Sequence, residues 1–94
     1  MEVVWLPKAL ENLKEIHEFI KQESPQSARM VAERIQKTVE VIRDNPHIGR
    51  SSLVDGFREV SISKLPFVIP YKVLDEKIII VRVFHTKQRP IIWE

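Results

Sequence analysis

A run of β-branched and aromatic residues at positions 78–84 constrains the fold of this chain more than any other stretch. Its first part, Ile78-Ile79-Ile80-Val81, is apolar at odd and even positions alike. A strand covered on one face alternates apolar and polar residues, whereas a strand covered on both faces does not. We therefore expect residues 78–84 to form the central strand of a sheet, buried on two sides, with a cationic segment directly after it.

The length of the chain, 94 residues, predicts a single domain spanning residues 1–94 with room for one modest core. The chain has no cysteine, which removes disulfides and thiolate metal ligands and suits a reducing compartment. No apolar run approaches the roughly 20 residues that cross a membrane, and the N-terminus lacks the basic-then-apolar pattern of a signal peptide. We therefore expect a cytoplasmic protein without a membrane partner.

Positive charge is concentrated in the second half of the chain. Residues 1–47 contain seven Lys and Arg against eight Asp and Glu, whereas residues 48–94 contain eight against five. This imbalance permits an acidic partner or a nucleic acid without requiring either. An ordinary solvated surface is the equally weighted alternative.

Two helices are predicted after a short first strand. Residues 3–6 are β-branched or aromatic and stop at Pro7, which suits the first turn of a helix. Ser24-Pro25 supplies the hydroxyl and the proline of a second helix start, and the residue before Pro46 must leave the helical conformation. The apolar stripe of the first helix comprises Leu10, Leu13, Ile16, Phe19 and Ile20.

Strands are predicted for most of the second half. Residues 57–63 alternate in polarity, with Glu59 on the polar side, and residues 67–74 form the next strand. Asp75-Glu76 then predicts a tight hairpin to the run at 78–84. Pro70 cannot donate a hydrogen bond to a neighbouring strand, so we expect a bulge or a gap in the pairing there.

The order strand, helix, helix, strand, strand, strand predicts an α+β fold with two layers. An antiparallel helical hairpin would pack on one face of a mainly antiparallel sheet, which a three-strand meander completes (β-α-α-β-β-β). The other face would remain uncovered and is therefore a candidate docking surface. The residues that we place on that face are Lys72, Ile80, Arg82 and Phe84.

Basic residues near the end of the last strand are the candidate binding residues: Arg82, His85, Lys87 and Arg89. A histidine can transfer protons near neutral pH, but for His85 we favour a structural role, in which it hydrogen-bonds a loop carbonyl and caps the strand. A meander would place Arg58 and His85 roughly 20 Å apart, which is too far for one active site.

Two other candidate binding residues, Arg58 and Trp93, each have a structural interpretation and a partner-binding one. Arg58 begins its strand on the apolar face, where structural pairing and contact with a partner are equally weighted. Trp93 either anchors the tail or forms an exposed contact, since tryptophan is enriched at binding hot spots. His17, His47 and His85 show no ligand spacing, so we expect neither a metal ion nor a cofactor.

Five short segments resemble the ParE/RelE toxin superfamily of bacterial type II toxin–antitoxin systems. They occur in the order of that superfamily and extend over nearly the whole chain. The segments are Val4-Trp5-Leu6-Pro7-Lys8-Ala9-Leu10, Asn45-Pro46-His47-Ile48-Gly49-Arg50, Gly56-Phe57-Arg58-Glu59, Pro66-Phe67-Val68-Ile69-Pro70-Tyr71 and Arg82-Val83-Phe84-His85-Thr86-Lys87-Gln88-Arg89-Pro90.

The resemblance implies one of two activities. Members of the RelE type resemble small ribonucleases that cleave mRNA in the ribosomal A site with basic residues and a terminal Tyr or His. Members of the ParE type resemble inhibitors of DNA gyrase. In both types the C-terminal segment of an antitoxin wraps the toxin, which implies a cognate antitoxin here, commonly of the ribbon-helix-helix type. Operator DNA would be contacted only through that antitoxin, and the toxin surface facing it would include Lys72, Ile80 and Phe84.

Two departures from the RelE pattern favour the ParE type. RelE-type nucleases carry an arginine on the third strand that stabilises phosphate charge, but the matching residues here, Phe67-Val68-Ile69, are apolar. The terminal tyrosine is also absent, because the chain ends Ile91-Ile92-Trp93-Glu94. We therefore predict a gyrase inhibitor without catalytic residues, whose target- or partner-binding residues are Arg58, Arg82, His85, Lys87, Arg89 and Trp93.

Two alternatives remain open. The chain could be a RelE-like ribosome-dependent mRNA endonuclease, with Arg58, His85 and Lys87 as its cationic and proton-transfer groups. It could also be a family member that has lost its toxicity and only binds the antitoxin. His85 does not distinguish the two types, because both resemble this chain at that position.

Overall fold

A computed structural model of the chain describes residues 1–88, so the predictions for Arg89 and Trp93 lie outside the described residues. It has the two-layer α+β architecture predicted from the sequence, with two short strands in addition. The elements are β1 (Glu2–Trp5), α1 (Pro7–Glu23), α2 (Pro25–Asp44), β2 (Arg50–Ser51), β3 (Arg58–Ser61), β4 (Phe67–Leu74), β5 (Lys77–Ile80), β6 (Phe84–His85) and a 3-10 turn (Thr86–Gln88).

The strands form one mixed sheet in the order β1-β5-β4-β3-β2. Strand β1 runs parallel to β5, and the other pairs are antiparallel. The centre of the sheet is therefore β4, and the expectation that residues 78–84 would be the central strand is wrong. Strand β5 is nevertheless an interior strand, because it pairs with β1 on one side and with β4 on the other.

The helical hairpin covers one face of the sheet. The hydroxyl of Ser24 accepts a hydrogen bond from the backbone N–H of Ser27 at 3.1 Å and caps the start of α2, as the sequence predicts. Within the described residues, neither helix is long and apolar enough to cross a membrane. The buried stripe of α2 comprises Ala28, Val31, Ile35, Val39 and Ile42.

Two residues of the predicted stripe of α1 are exposed. Phe19 is 70% exposed and Leu10 is 52% exposed, whereas Ala9 is buried and Leu13 and Ile16 pack against the core. At 100° per residue, Leu10 and Phe19 lie about 90° to either side of the buried stripe. The predicted stripe is therefore too wide, because only a narrow face of α1, around Ala9, Leu13 and Ile16, packs against the core.

The pairing register assigns each strand residue to a face. Tyr71 pairs with Ile80 and Val73 pairs with Ile78, and Tyr71, Ile78 and Ile80 all lie in the core beneath the helices. Ile80 is 0% exposed. Its predicted position on the uncovered face is therefore wrong, because one residue is inserted between Ile80 and Phe84, so these two even positions lie on opposite faces of the sheet.

The last apolar run is broken by a β-bulge. Tyr71 pairs with Ile80 and Val68 pairs with Phe84, so two residues of β4 face three residues of the final stretch. The extra residue separates β5 from β6, and residues 78–84 are not the single strand that the sequence predicted.

The bulge lies opposite Pro70. The carbonyl of Pro70 accepts a hydrogen bond from the N–H of Val81 at 3.1 Å. The nitrogen and carbonyl of one strand residue point to the same neighbour, so the missing N–H of Pro70 also faces the bulge. This confirms the expected gap in pairing. The N–H of Val83 is instead satisfied by Asn12 Oδ1 on α1 at 3.2 Å.

The turn between β4 and β5 contains two residues in the left-handed region. Asp75 has a φ of 51° and Glu76 a φ of 60°, and the flanking residues Leu74 and Lys77 are paired. This two-residue turn has the type I′ geometry that matches the twist of a hairpin and favours Asn-Gly. A side chain at Glu76 therefore holds a conformation that costs about 1 kcal/mol relative to glycine.

Replacing Glu76 with glycine should stabilise the fold. We expect Glu76→Gly to raise the free energy of unfolding by about 1 kcal/mol, as measured by urea denaturation. Glu76→Ala removes the same charge but keeps the Cβ atom, so this control should give no comparable gain. Equal stabilisation by both variants would mean that charge, and not the backbone conformation, limits this turn.

Candidate protein-binding surface

The face of the sheet that turns away from the helices is partly covered by the chain itself. Val68, Val81 and Phe84 are buried together on this face, and Val54 and Phe57 from the loop after β2 pack against them. The expectation of a bare face is therefore wrong at Phe84. The sequence pattern missed this cover because the loop at residues 52–57 has no periodicity of its own.

Lys72 lies on this second face, whereas Arg82 does not have a place in the strand pairing. The ammonium group of Lys72 lies 5.5 Å from the centre of the Phe57 ring, which is a cation–π distance. Arg82 belongs to the bulge, and its guanidinium donates a hydrogen bond to the carbonyl of Val81 at 2.8 Å. Both side chains are half-buried, so each remains partly accessible to a partner.

His85 caps the turn that follows β6. Its Nδ1 accepts a hydrogen bond from the backbone N–H of Lys87 at 3.0 Å, and its ring meets Phe67 edge-on with centroids 5.6 Å apart. The favoured structural role is present, although the partner is an N–H group and not the expected carbonyl. The side chain of Lys87 itself is exposed.

Arg58 holds the loop between α2 and β2. Its guanidinium donates to the carbonyl of Gly49 at 2.8 Å and to the carbonyl of His47 at 3.5 Å. Of the two interpretations that the sequence left open, structural pairing is therefore present. We call residues 46–49 the clamped loop, because a second side chain also fixes it.

The second clamp is the buried hydroxyl of Tyr71. It donates to the carbonyl of Pro46 at 2.8 Å and accepts from the N–H of Gly49 at 3.0 Å. A Cβ atom on Gly49 would lie 2.8 Å from this hydroxyl oxygen and 2.9 Å from the carbonyl oxygen of Glu59. Only glycine fits at position 49, because neither the buried ring of Tyr71 nor the backbone of Glu59 can move away from a Cβ atom this close.

Glu59 is a buried acid that the sequence pattern placed on the solvent side. Its side chain is 0% exposed, and its Oε1 accepts from the guanidinium of Arg50 at 3.1 Å. Its Oε2 accepts from the hydroxyl of Ser52 at 3.1 Å. A second hydrogen bond from Arg50 reaches the hydroxyl of Ser61 at 3.1 Å.

The polar alternation of β3 concealed this burial. Glu59 faces away from the helices, but the loop at residues 52–57 covers that face and shields the carboxylate from water. No local pattern in the sequence shows this burial, because it depends on the pairing of Arg50 with Glu59 and on the apolar cover that Val54 and Phe57 supply.

The groups proposed for a nuclease do not converge. Arg58 pairs with Tyr71 and His85 pairs with Phe67, so the two residues flank β4 from opposite sides, four positions apart along it. Standard strand spacings put their Cα atoms about 16 Å apart. Among residues 1–88, no three His, Asp or Glu side chains group as metal ligands.

The helical hairpin on one face of a mixed sheet defines a two-layer α+β fold, and comparison with known proteins assigns it to a family. The sequence model for the ParE toxin of the type II toxin–antitoxin system parDE matches residues 3–90. The chain therefore belongs to the ParE toxin family, and it is a toxin of a type II toxin–antitoxin system.

Individual relatives agree with this assignment. Y4kP of Sinorhizobium fredii, which is named as a toxin, is 31% identical over 85 residues, covering 90% of this chain and 88% of that protein. Toxin RelE2 of Caulobacter vibrioides is 34% identical over 84 residues, covering 89% and 93%.

Solved structures share the fold. A chain in the chromosomal ParDE TA system from P. aeruginosa superposes with a TM-score of 0.81 at 27% identity, covering 90% of this chain and 95% of that one. A chain in the intact E. coli RelBE toxin–antitoxin complex superposes with a TM-score of 0.63 at 10% identity, covering 89% and 94%. The second likeness is one of fold alone.

The buried carboxylate gives a direct test of this arrangement. Arg50→Ala leaves the charge of Glu59 buried with one partner fewer, so we expect a loss of about 2 kcal/mol in unfolding free energy. Adding Glu59→Gln removes that charge, so the double variant should lose at least about 1 kcal/mol less than the sum of the single variants. Chemical denaturation of all three proteins measures this coupling.

An exposed pair with the same geometry provides the control. Arg43 and Asp44 also approach to 3.1 Å, but their side chains are 44% and 64% exposed. Arg43→Ala should therefore leave the denaturation midpoint close to that of the wild type, because solvent screens an exposed ion pair. Additive losses for Arg50 and Glu59 would contradict a buried, coupled pair.

Proposed function

We propose that this toxin binds DNA gyrase and blocks its supercoiling activity, and that a cognate antitoxin neutralises it. The observation that carries the proposal is the separation of Arg58 from His85 on opposite sides of β4. Cleavage of RNA requires a cation and proton-transfer groups around one phosphate. A toxin whose basic groups are dispersed is better suited to occupying a surface on its target.

The arrangement of the individual groups supports the same proposal. The guanidinium of Arg58 is engaged by two loop carbonyls, and Nδ1 of His85 is engaged by a backbone N–H. On β4, Phe67, Val68 and Ile69 are all buried. RelE-type nucleases carry an arginine on the matching strand. An arginine at any of these three positions would have to enter the core of this chain.

The comparisons add support of a different kind. The family model that matches this chain is that of the ParE toxin. The ParDE structure also resembles this chain more than the RelBE structure does, in both sequence identity and TM-score. On this proposal the toxin acts in the bacterial cytoplasm, where gyrase works on chromosomal DNA.

The antitoxin partner is proposed to use the second face of the sheet. Lys72 is half-buried there and borders the apolar ring of Phe57, so it offers a cation beside an apolar surface. Ile80 and Phe84 are buried and are no longer candidates for direct contact. An antitoxin of the ribbon-helix-helix type, which alone would contact operator DNA, remains part of the proposal.

A RelE-like mRNA endonuclease is the second candidate. The Caulobacter relative is named RelE2 and is 34% identical to this chain, which favours this reading. The exposed side chain of Lys87, close to His85, would be its cationic group. On this alternative Arg58 lies too far from His85 to act on the same phosphate.

Two reactions carried out side by side test the proposal. Purified toxin is added to gyrase with relaxed plasmid, and separately to translating ribosomes with a defined mRNA. Loss of supercoiling with intact message is the expected result. Codon-phased cleavage of the message with normal supercoiling would overturn the proposal in favour of the endonuclease.

A single substitution sharpens this comparison. His85→Ala removes the imidazole. The turn after β6 keeps another hydrogen bond, which the N–H of Thr86 donates to the carbonyl of Pro66. A gyrase inhibitor should keep most of its inhibitory potency, within about threefold, because inhibition by binding requires no proton transfer at His85. Complete loss of toxicity in a variant with an unchanged circular dichroism spectrum would argue for chemistry at His85.

A further inference from the structure

The bulge between β5 and β6 decides which residues of the final run enter the core. Ile80 and Val83 both lie in the core beneath the helices, whereas Phe84 is buried with Val68 on the second face. Two core positions three residues apart cannot belong to one regular strand, because successive side chains of a strand point to opposite faces. The bulge therefore brings Val83, and not Arg82, into the core.

A regular strand without the bulge would place Arg82 in that core. Tyr71 pairs with Ile80, and a regular antiparallel register continued from this pair sets position 82 opposite Ile69. Ile69 is 0% exposed and belongs to the core beneath the helices. Glu59 is the only buried acid among residues 1–88, and it faces away from the helices. A guanidinium in this core would lose its water without gaining a carboxylate, which is strongly unfavourable.

In the observed register the guanidinium of Arg82 keeps contact with solvent. The side chain is half-buried, and it donates a hydrogen bond to the carbonyl of Val81 at 2.8 Å. No ion pair within residues 1–88 involves Arg82, so its charge depends on water for stabilisation. The bulge thus gives a charged residue in an otherwise apolar run a position outside the core.

Asn12 on α1 stabilises the bulge from the helical layer. Its Oδ1 accepts a hydrogen bond from the N–H of Val83 at 3.2 Å. In the regular register this N–H would bond to the carbonyl of Val68, two positions beyond the bond from Val81 to Pro70. Asn12 therefore replaces a strand acceptor that only the bulge removes. Pro70 tolerates the bulge but does not select it, because its carbonyl accepts the N–H of Val81 in either register.

We infer that Arg82 and Asn12 select the pairing register of the last strand. Arg82 is excluded from the core, and Asn12 accepts the N–H that the bulge frees. The neighbouring residues give no such preference, because Val81, Val83 and Phe84 are apolar and suit either face of the sheet. Without the two selecting side chains, we expect the strand to slip by one residue into the regular register.

The register also decides on which face of the sheet His85 lies. His85 pairs with Phe67, and the two rings meet edge-on with centroids 5.6 Å apart. A slip by one residue would pair Phe84 with Phe67 and move His85 to the second face. The basic segment at residues 85–87 would move with it. This inference concerns the toxin alone, so it holds or fails independently of the target.

Nuclear magnetic resonance of the purified toxin distinguishes the two registers. Phe67 and His85 form a non-hydrogen-bonded pair, because the adjacent residues Pro66 and Thr86 are joined by a hydrogen bond. The Hα atoms of such a pair lie close together, so the wild type should show a nuclear Overhauser effect between them. The slipped register would instead show this Hα–Hα effect between Phe67 and Phe84.

The double variant Asn12→Leu/Arg82→Val removes both selecting groups. We expect the Hα–Hα contact of Phe67 to move from His85 to Phe84. The matched control is Asn12→Asp/Arg82→Lys, which keeps an acceptor and a positive charge and should retain the wild-type contact. A double variant that keeps the Phe67–His85 contact would overturn the inference. A slip in the control would also overturn it, because charge and acceptor would then not select the register.

Single variants decide the question if the double variant fails to fold. In Asn12→Leu the N–H of Val83 loses its acceptor, so its hydrogen exchange should become at least about tenfold faster, whereas Asn12→Asp should keep it slow. Arg82→Val should show a second set of resonances with the Phe67–Phe84 contact. Unchanged exchange at Val83 would overturn the role of Asn12, and a single wild-type set of resonances would overturn the role of Arg82.

Discussion

The hydrogen bonds of the Tyr71 hydroxyl are the interactions on which the edge of the sheet at β2 depends. This hydroxyl is buried at the centre of the sheet, and it takes both the carbonyl of Pro46 and the N–H of Gly49 from the loop that leaves α2. A buried hydroxyl without partners costs about 1–3 kcal/mol, so the loop has one favourable position. Gly49 sets how closely the loop approaches, because no Cβ atom fits there. The start of β2, and with it the position of Arg50, follows from this contact.

A second buried polar group extends that order along the chain. Glu59 fixes Arg50 on one side and Ser52 on the other, and the loop after Ser52 closes over the second face of the sheet. The two fixed loops present Ile48 and Leu53 to solvent at the edge of the sheet. Arg58 and His85, which a nuclease would need together, are each engaged locally and lie far apart, as the predicted meander implied. The whole arrangement suits a protein that occupies a target surface better than one that assembles charge around a phosphate.

Much of the fold could be predicted from the sequence because local rules agree with the tertiary structure. Proline and serine mark the start of α2, and its apolar stripe is buried as predicted. The bulge opposite Pro70 follows from the missing N–H. The face of Ile80 and the burial of Glu59 could not be predicted, because one depends on strand register and the other on a loop without periodicity. The clamped loop was visible only as a resemblance, since no local pattern shows that Tyr71 lies beneath Gly49.

Native-state hydrogen exchange of the Gly49 amide is the most direct test of a loop held from the sheet interior. This amide bonds to a buried hydroxyl, so its opening free energy should approach that of global unfolding and match amides of β3 such as Val60. Gly56 is exposed at the turn before β3, with open space beside its Cα atom, so its amide should exchange much faster. Exchange at Gly49 as fast as at Gly56 would contradict the account, because the clamped loop would then open independently of the sheet.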